Sequence, residues 1–234
     1  ENMIIKTTGT ITKIVDLSKT AKDVFITLDK KLDFIAGNFV NLFMDVDGVK
    51  VRRAFSISSS DTEQGVIALS IRESLKGVMS PLFWQKDQTG TTVELMGPLG
   101  MNTADKMHAP KAFLFAYGVG AGVIKSILDH VIAQNVAKQI VIMTGSRSSD
   151  EILHKDYFDD MAETHAYIEV RHVVSQGAEE HSLRKGYIQD HIDGIDFNNA
   201  DVYTCGQEVA CSALVEKIKS QKPENCTFFI EAFH

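Results

Sequence analysis

The chain has only three cysteines, Cys205, Cys211 and Cys226, and no CxxC pair, so it cannot supply the four thiolates of an ordinary iron–sulfur cluster. An odd count without a secretory leader points to reduced thiols. Only four prolines occur, and no biased tract surrounds the sixteen glycines, which excludes a collagenous, mucin-like or largely disordered chain. Long apolar runs are missing too. The longest nearly apolar stretch, Ala112 to Ile124, contains Gly118, Gly120 and Gly122 and is too short to cross a bilayer core, so no membrane span is expected. Positive charge is scarce: 24 Lys+Arg against 31 Asp+Glu leave a formal charge of -7, which disfavours a phosphate-backbone footprint and removes nucleic acid from the expected partners. The eight histidines are scattered without an HExxH pattern, and no metal site is expected. Glu1-Asn2-Met3 lacks the basic start and apolar core of a secretory signal, and the expected location is cytoplasmic.

What is present divides near residue 108. A chain of 234 residues exceeds one ordinary domain of about 100–200 residues, and its two parts differ in pattern. Residues 1–108 carry short β-rich runs at Ile4–Val15, Asp23–Leu28, Phe39–Val46, Val51–Ser58, Val66–Arg72 and Thr92–Met96. Turn formers such as Asp47-Gly48 and Thr89-Gly90 separate them, as in an antiparallel sheet closing on itself. Val78–Lys86, with Met79, Leu82 and Phe83 near helical spacing, is expected as one inserted helix. Residues 109–234 alternate apolar strands, at Ala112–Tyr117, Gln139–Thr144, Tyr167–Val174, Asp201–Cys205 and Thr227–Ile230, with amphipathic helices at Val123–Gln134, Glu151–Ala162 and Glu208–Ser220. That order implies a parallel sheet covered on both faces. The fold class is therefore all-β followed by α/β.

In an open parallel sheet, ligands bind beyond the carboxyl ends of the strands, where helix N-termini offer unpaired N–H groups to anions. The first such turn is Gly118-Val119-Gly120-Ala121-Gly122. It reads GxGxG rather than GxGxxG, no acidic residue follows about twenty positions on, and tight strand-to-helix packing explains it as well as phosphate binding. The last, Thr204-Cys205-Gly206-Gln207, also opens a helix, and Cys205 alone reads as a buried small residue as readily as a functional thiol. Thr144-Gly145-Ser146-Arg147 ends the second strand with a cation. In the first half, Arg53, Phe55 and Ile57 alternate with Ala54 and Ser56. Gly77 through Ser80 are expected at a helix N-terminus, where Ser80 is equally a plain N-cap.

Together these segments resemble the ferredoxin–NADP reductase superfamily. The shared motifs are RxFS(I/L) at Arg53–Ile57, (K/R)xxxxGxxS at Arg72–Ser80, GPxG at Gly97–Gly100, the turn at Gly118–Gly122, GSR at Gly145–Arg147, CG at Cys205–Gly206 and ExF at Glu231–Phe233. The resemblance implies a six-stranded antiparallel FAD-binding barrel over 1–108 and a Rossmann-like NAD(P)-binding domain over 109–234, without room or cysteines for a fused plant-type iron–sulfur domain. It places Arg53 toward the flavin pyrophosphate, Phe55 along the isoalloxazine or ribityl chain and Ser56 at flavin N5, with Ala54 and Ile57 among the cofactor-binding residues. It also puts the backbone of Ile71 and Arg72 at the pyrimidine edge, with Gly77, Val78, Met79 and Ser80 cradling the pyrophosphate. Gly118, Val119, Gly120, Ala121 and Gly122 would hold the nicotinamide dinucleotide pyrophosphate, with Cys205 and Gly206 beside the nicotinamide. Ser146, Arg147 and Ser175 would line the adenosine half, and Glu231 and Phe233 would lie near the flavin. Ser56, Cys205 and Glu231 would be the catalytic residues.

Val123 and Gln207 stand where the family usually has proline, which leaves the phosphate-binding backbone geometry intact. Gln176 stands where a second arginine often meets a 2'-phosphate. With Glu179 and Glu180 it favours NADH, while Arg147, Arg184 and Lys185 leave NADPH open. The implied activity is an FAD-dependent NAD(P)H oxidoreductase that passes electrons to a separate ferredoxin, oxygenase component or haem protein. A reductase releasing reduced free flavin, or an electron-transfer subunit of a larger complex, are the alternatives.

Overall fold

The computed structural model describes residues 3–177 and 182–233. Glu179 and Glu180, on which part of the NADH expectation rests, lie outside the described residues, as do Glu1 and Asn2.

Six strands, β1 (Ile5–Asp16), β2 (Ala21–Leu28), β3 (Phe39–Val46), β4 (Val49–Ser56), β5 (Val66–Arg72) and β6 (Thr92–Leu99), form an antiparallel sheet ordered β4-β3-β6-β1-β2-β5. Alternation makes it curl around its own core: Val24 and Ile26 of β2, Leu42 of β3 and Ile67, Leu69 and Ile71 of β5 share one buried cluster. Asp47 (φ 51°) and Gly48 (φ 79°) both occupy the left-handed region, the geometry a two-residue hairpin demands between β3 and β4. The outer strands meet through the bridge of Ile57 to Leu69 and the Ser58 amide, which donates to the Ala68 carbonyl at 2.8 Å, so both edges are partly covered.

The inserted helix is much shorter than its spacing implies. α1 spans only Leu82–Gln85. Pro81 opens it, and a proline disfavours helical backbone in the residue before it, so Val78, Met79 and Ser80 cannot extend it upstream. Met79 and Phe83 still reach the barrel core, but from a turn and a single helical turn respectively.

The second sheet is parallel throughout. It comprises β7 (Lys111–Tyr117), β8 (Gln139–Ser146), β9 (Ile168–Val174), β10 (Arg184–Lys185), β11 (Ala200–Gln207) and β12 (Cys226–Phe233), ordered β10-β9-β8-β7-β11-β12. α2 (Gly120–Gln134) and α3 (Lys155–Thr164) cover one face, and α4 (Glu208–Ser220) packs on the other. α2 begins three residues before its expected start, and α3 begins at Lys155 because residues 149–151 form a 3₁₀ turn and His154 takes a left-handed backbone. The strand order reverses between β7 and β11, which opens a crevice at their carboxyl ends. Among the described residues, no helix is long and apolar enough to cross a membrane.

The halves pack directly. The hydroxyl of Ser126 on α2 donates to the Ser59 carbonyl at 2.7 Å, and one turn on His130 Nδ1 lies 2.5 Å from Asp61 Oδ2. On the other flank, Glu151 accepts hydrogen bonds from the Ser18 and Thr20 hydroxyls at 2.9 and 2.8 Å.

Candidate functional site

On the barrel, β4 runs out to the edge of the crevice. Arg53 and Ala54 are exposed, and Arg53 Nη1 donates to the carbonyl of Arg52 at 2.7 Å. Phe55 is half-buried against the barrel core, while Ser56 is buried at the strand end, paired with Phe39. Ile57, Ile71 and Met79 are core residues, so any ligand they meet is met through their backbone. The segment from Gly77 to Ser80 is the one the sequence places at a helix N-terminus. With α1 beginning at Leu82, it is instead a tight turn. The Ser74 amide donates to Ser80 Oγ at 3.2 Å and the Gly77 amide to the Ser74 carbonyl at 2.9 Å. A side chain on Gly77 would come within 2.9 Å of Ser80 Oγ, so there is no room for one at that position. Ser80 therefore shapes the turn rather than capping a helix.

The glycine-rich turn divides by role. A Cβ on Gly120 would lie 2.2 Å from the Cys205 carbonyl oxygen, so that glycine sets the approach of α2 to β11. One on Gly122 would lie 2.2 Å from Ser70 Oγ and 2.7 Å from Ser58 Cβ, so that glycine lets α2 meet the barrel. At these two positions, tight packing is the reading the structure supports. Ala121 is buried with them, which leaves Gly118 (φ 54°) and Val119 half-exposed at the crevice. Arg72, from the far end of β5, lays its guanidinium against Gly118, with Nη2 2.8 Å from where a Cβ would stand. A cation from one domain thus sits over the first turn of the other, at a helix end whose amides already favour anions.

Beside it, Gly206 takes φ 147°, and a side chain there would stand 2.5 Å from the Cβ of Tyr117 and 2.8 Å from its carbonyl oxygen. The Tyr117 ring also packs on Gly145, and its buried hydroxyl has no hydrogen-bond partner among the described residues. The Ser58 hydroxyl, at the domain junction, is likewise buried and unpartnered. The Ser58 oxygen faces the junction of the domains and the Tyr117 ring packs on the α4 face of the parallel sheet; each buried oxygen costs about 1–3 kcal/mol while unsatisfied.

Farther along the sheet, the Ser175 amide donates to the Ser146 carbonyl at 3.0 Å and Gln176 to Arg147 at 2.8 Å, extending the β8–β9 pairing past both strands. Arg147 is exposed. β10, which sequence reading missed, pairs Arg184 and Lys185 with Val173 and Val174 and so brings two more cations to this end. Two residues are too few to leave a periodic signal.

Cys205 and Glu231 are direct partners in the β11–β12 register. Cys205 is wholly buried, and burial, reinforced by Glu231 and Cys211, pushes its thiol far above the ordinary range. It is a neutral SH and supplies shape rather than charge. Burial raises the Glu231 carboxyl, opposed by the Asn102 amide. Asn102 Nδ2 donates to the Ile230 carbonyl at 2.8 Å with a longer branch of 3.4 Å to Glu231 Oε2, and its own carbonyl accepts from Tyr203 Oη at 2.8 Å. Asn102 lies in the connection between the sheets, 129 positions before Glu231, and no local pattern announces it. Phe233 is half-buried at the end of β12, next to Gln207.

The site is thus a crevice with one wall from each domain. The tight turn at Gly77, the exposed Arg53 and the buried Ser56 fit a flavin dinucleotide on the barrel side. The Gly118 turn, under Arg72, fits a nicotinamide dinucleotide on the other.

Two family models match the chain: that of the oxidoreductase FAD-binding domain over residues 8–103 and that of the oxidoreductase NAD-binding domain over residues 114–216. Among relatives, the reductase component DmpP of phenol 2-monooxygenase from Pseudomonas sp. (strain CF600) is 25% identical over 232 residues, covering 97% of this chain and 65% of the relative. A probable flavin reductase of Aliivibrio fischeri is 26% identical over 233 residues, covering 96% of this chain and 97% of the relative. The chain therefore spans less than two thirds of DmpP but nearly all of the flavin reductase. Among solved structures, the Amycolatopsis cytochrome P450 reductase GcoB superposes with a TM-score of 0.87 at 22% identity, over 100% of this chain and 72% of that one.

Proposed function

Because the chain belongs to the ferredoxin–NADP reductase superfamily, we propose that it is an FAD-dependent NAD(P)H oxidoreductase that passes the electrons it collects to a separate acceptor protein. The acceptor class is a ferredoxin, an oxygenase component or a haem protein, in keeping with the oxygenase reductase components among its relatives. The observation that carries the reading is the crossing of Arg72 from the barrel onto Gly118 at the reversal point of the parallel sheet.

The bound flavin supplies hydride acceptance at N5 and onward release of electrons, chemistry that belongs to the cofactor. The protein contributes binding, orientation and electrostatics. Arg53 and the backbone of the 74–80 turn hold the flavin pyrophosphate, and Phe55 lines the flavin wall. Ser56, fixed at the end of β4, directs its hydroxyl to the reacting edge. Gly118 and Val119, with Arg72 above them, take the second pyrophosphate. Ser146, Arg147 and Ser175 line the adenosine end. Cys205 and Gly206, both buried, would back the nicotinamide side of the site without adding charge. Glu231, held by Asn102 in a partly buried site, is the one ionisable group close to Cys205 on β12, and Phe233 closes the crevice by the flavin.

The domain boundary falls at 108/109, between the two matched regions. NADH is the favoured donor, because Gln176 is exposed next to Ser175 and brings no cation, while Arg147, Arg184 and Lys185 are the groups a 2'-phosphate would have to recruit. The cytoplasm is the proposed location, in line with three unpaired thiols.

A second reading has a specific observation behind it: the end-to-end match to a flavin reductase, in which flavin is a substrate that leaves reduced. Gel filtration decides between them. A yellow protein that keeps its flavin through the column supports tightly held FAD, and colour eluting with small molecules supports the flavin reductase.

A further inference from the structure

Arg72 is held by more than its own strand. Its Nη1 donates to Thr20 Oγ1 at 3.3 Å, and the Thr20 hydroxyl in turn donates to Glu151 Oε2 at 2.8 Å. Ser18 Oγ donates to the same carboxylate oxygen at 2.9 Å and receives the Thr20 amide at 3.1 Å. The Glu73 amide, next to Arg72, donates to the Thr20 carbonyl at 2.9 Å. The chain of contacts crosses the domains twice. Glu151, in the 3₁₀ turn after β8, grips the β1–β2 turn of the barrel, and that turn steadies a barrel arginine that reaches back over Gly118.

The chemistry has a direction. A threonine hydroxyl has one proton, and here it is committed to Glu151, which leaves its lone pairs for the guanidinium. A hydroxyl between a cation and an anion also keeps them from pairing directly. Among the described residues Arg72 makes no ion pair, so its charge is oriented without being neutralised.

We propose that Thr20 and Glu151 form a cross-domain relay that positions Arg72 for the pyrophosphate of the nicotinamide dinucleotide. Neither residue touches the dinucleotide; they are positioning residues, and the relay makes dinucleotide affinity depend on the docking of the two domains. The inference rests on the functional reading above.

The test is the affinity of NAD+ and of NADP+ for the full-length, FAD-loaded protein, measured by titration calorimetry without turnover. Thr20→Val keeps the shape and loses the hydroxyl. It is expected to weaken the tighter of the two ligands about three- to tenfold, the net effect of one long, exposed hydrogen bond. Thr20→Ser restores the hydroxyl and is expected to restore wild-type affinity. Arg72→Ala is expected to weaken binding at least as much as Thr20→Val, and flavin content at the wild-type level shows that each variant is folded. If Arg72→Ala loses affinity and Thr20→Val does not, the relay is refuted while the role of Arg72 stands. If Thr20→Ser is as weak as Thr20→Val, packing rather than the hydroxyl matters, and the relay is again refuted. Should Arg72→Ala bind both ligands as tightly as wild type, the functional reading of the crevice falls, and the relay with it.

Discussion

Gly122 separates two accounts of the glycine-rich turn. If it exists to let a phosphate approach, a side chain there costs nucleotide affinity and leaves the fold alone. If it exists to let α2 meet the barrel, the side chain forces the domains apart. The structure favours the second. A Cβ would stand 2.2 Å from Ser70 Oγ and 2.7 Å from Ser58 Cβ, and Ser70 cannot swing away freely because its hydroxyl donates to the buried Asp23 at 2.5 Å. Ordinary contact needs a separation larger by about 1 Å, and neither Ser58 nor Ser70 is the far end of a flexible side chain. Gly122→Val is the useful substitution, because valine is only slightly better than glycine in a helix and the packing term then governs the sign. Overpacking of this kind costs about 1–3 kcal/mol. For a chain of this length that is a fall in Tm of roughly 2–12 °C by differential scanning calorimetry. Ser70→Ala in the same chain should recover part of the loss, since it removes the nearer of the two atoms, and the double-mutant cycle reports the coupling. A Gly122→Val protein with unchanged or raised Tm and weakened NAD+ binding would refute the reasoning and return Gly122 to the phosphate site.

Three further predictions follow from the site. Ser56→Ala should slow reduction of bound flavin by NADH about tenfold at unchanged flavin content, the effect of one lost hydrogen bond of about 1.4 kcal/mol at the reacting edge; stopped-flow rates equal to wild type would remove Ser56 from the mechanism. Ser80→Ala takes away the acceptor for the Ser74 amide and should loosen the 74–80 turn, lowering flavin retention on dialysis while stability falls by about 1 kcal/mol or less; full retention would remove that turn from the flavin site. Glu231→Gln should stabilise the protein at neutral pH and leave it unchanged in acid. The folded carboxyl is raised by burial, so wild type carries a cost for the buried charge that is absent below the ordinary carboxylate range and grows as pH rises through the raised value. Thermal unfolding from pH 4 to 8 checks the sign, and a Gln variant less stable than wild type at neutral pH would contradict it.

Much of the fold was legible because its signals are local. Continuous apolar runs place β7, β8 and β11, the bounds of β3, β5 and α4 coincide with the expected ones, and Asp47-Gly48 marks its hairpin by the only backbone geometry such a turn allows. The inserted helix failed for a physical reason. Met79 and Phe83 are both core residues, and helical spacing cannot distinguish a helix from a turn that buries the same side chains, whereas Pro81 could have. The candidate site was legible as motifs but not as roles. The three glycines of the turn read alike in sequence, yet which of them faces a ligand depends on what stands within 3 Å of a missing Cβ, and at Gly120 and Gly122 that is decided by Cys205, Ser58 and Ser70, far away along the chain. Asn102, Thr20 and Glu151 escaped notice for the same reason: each acts through a partner more than 50 positions away.

The central claim is that the two domains bring a flavin and a nicotinamide together in their shared crevice. Anaerobic mixing of the FAD-loaded protein with NADH, and separately with NADPH, while following flavin absorbance, tests it most directly. The account predicts that the yellow colour is lost in a single turnover, faster with NADH. Flavin that stays oxidised with both donors, or a protein that never takes up FAD, would contradict it.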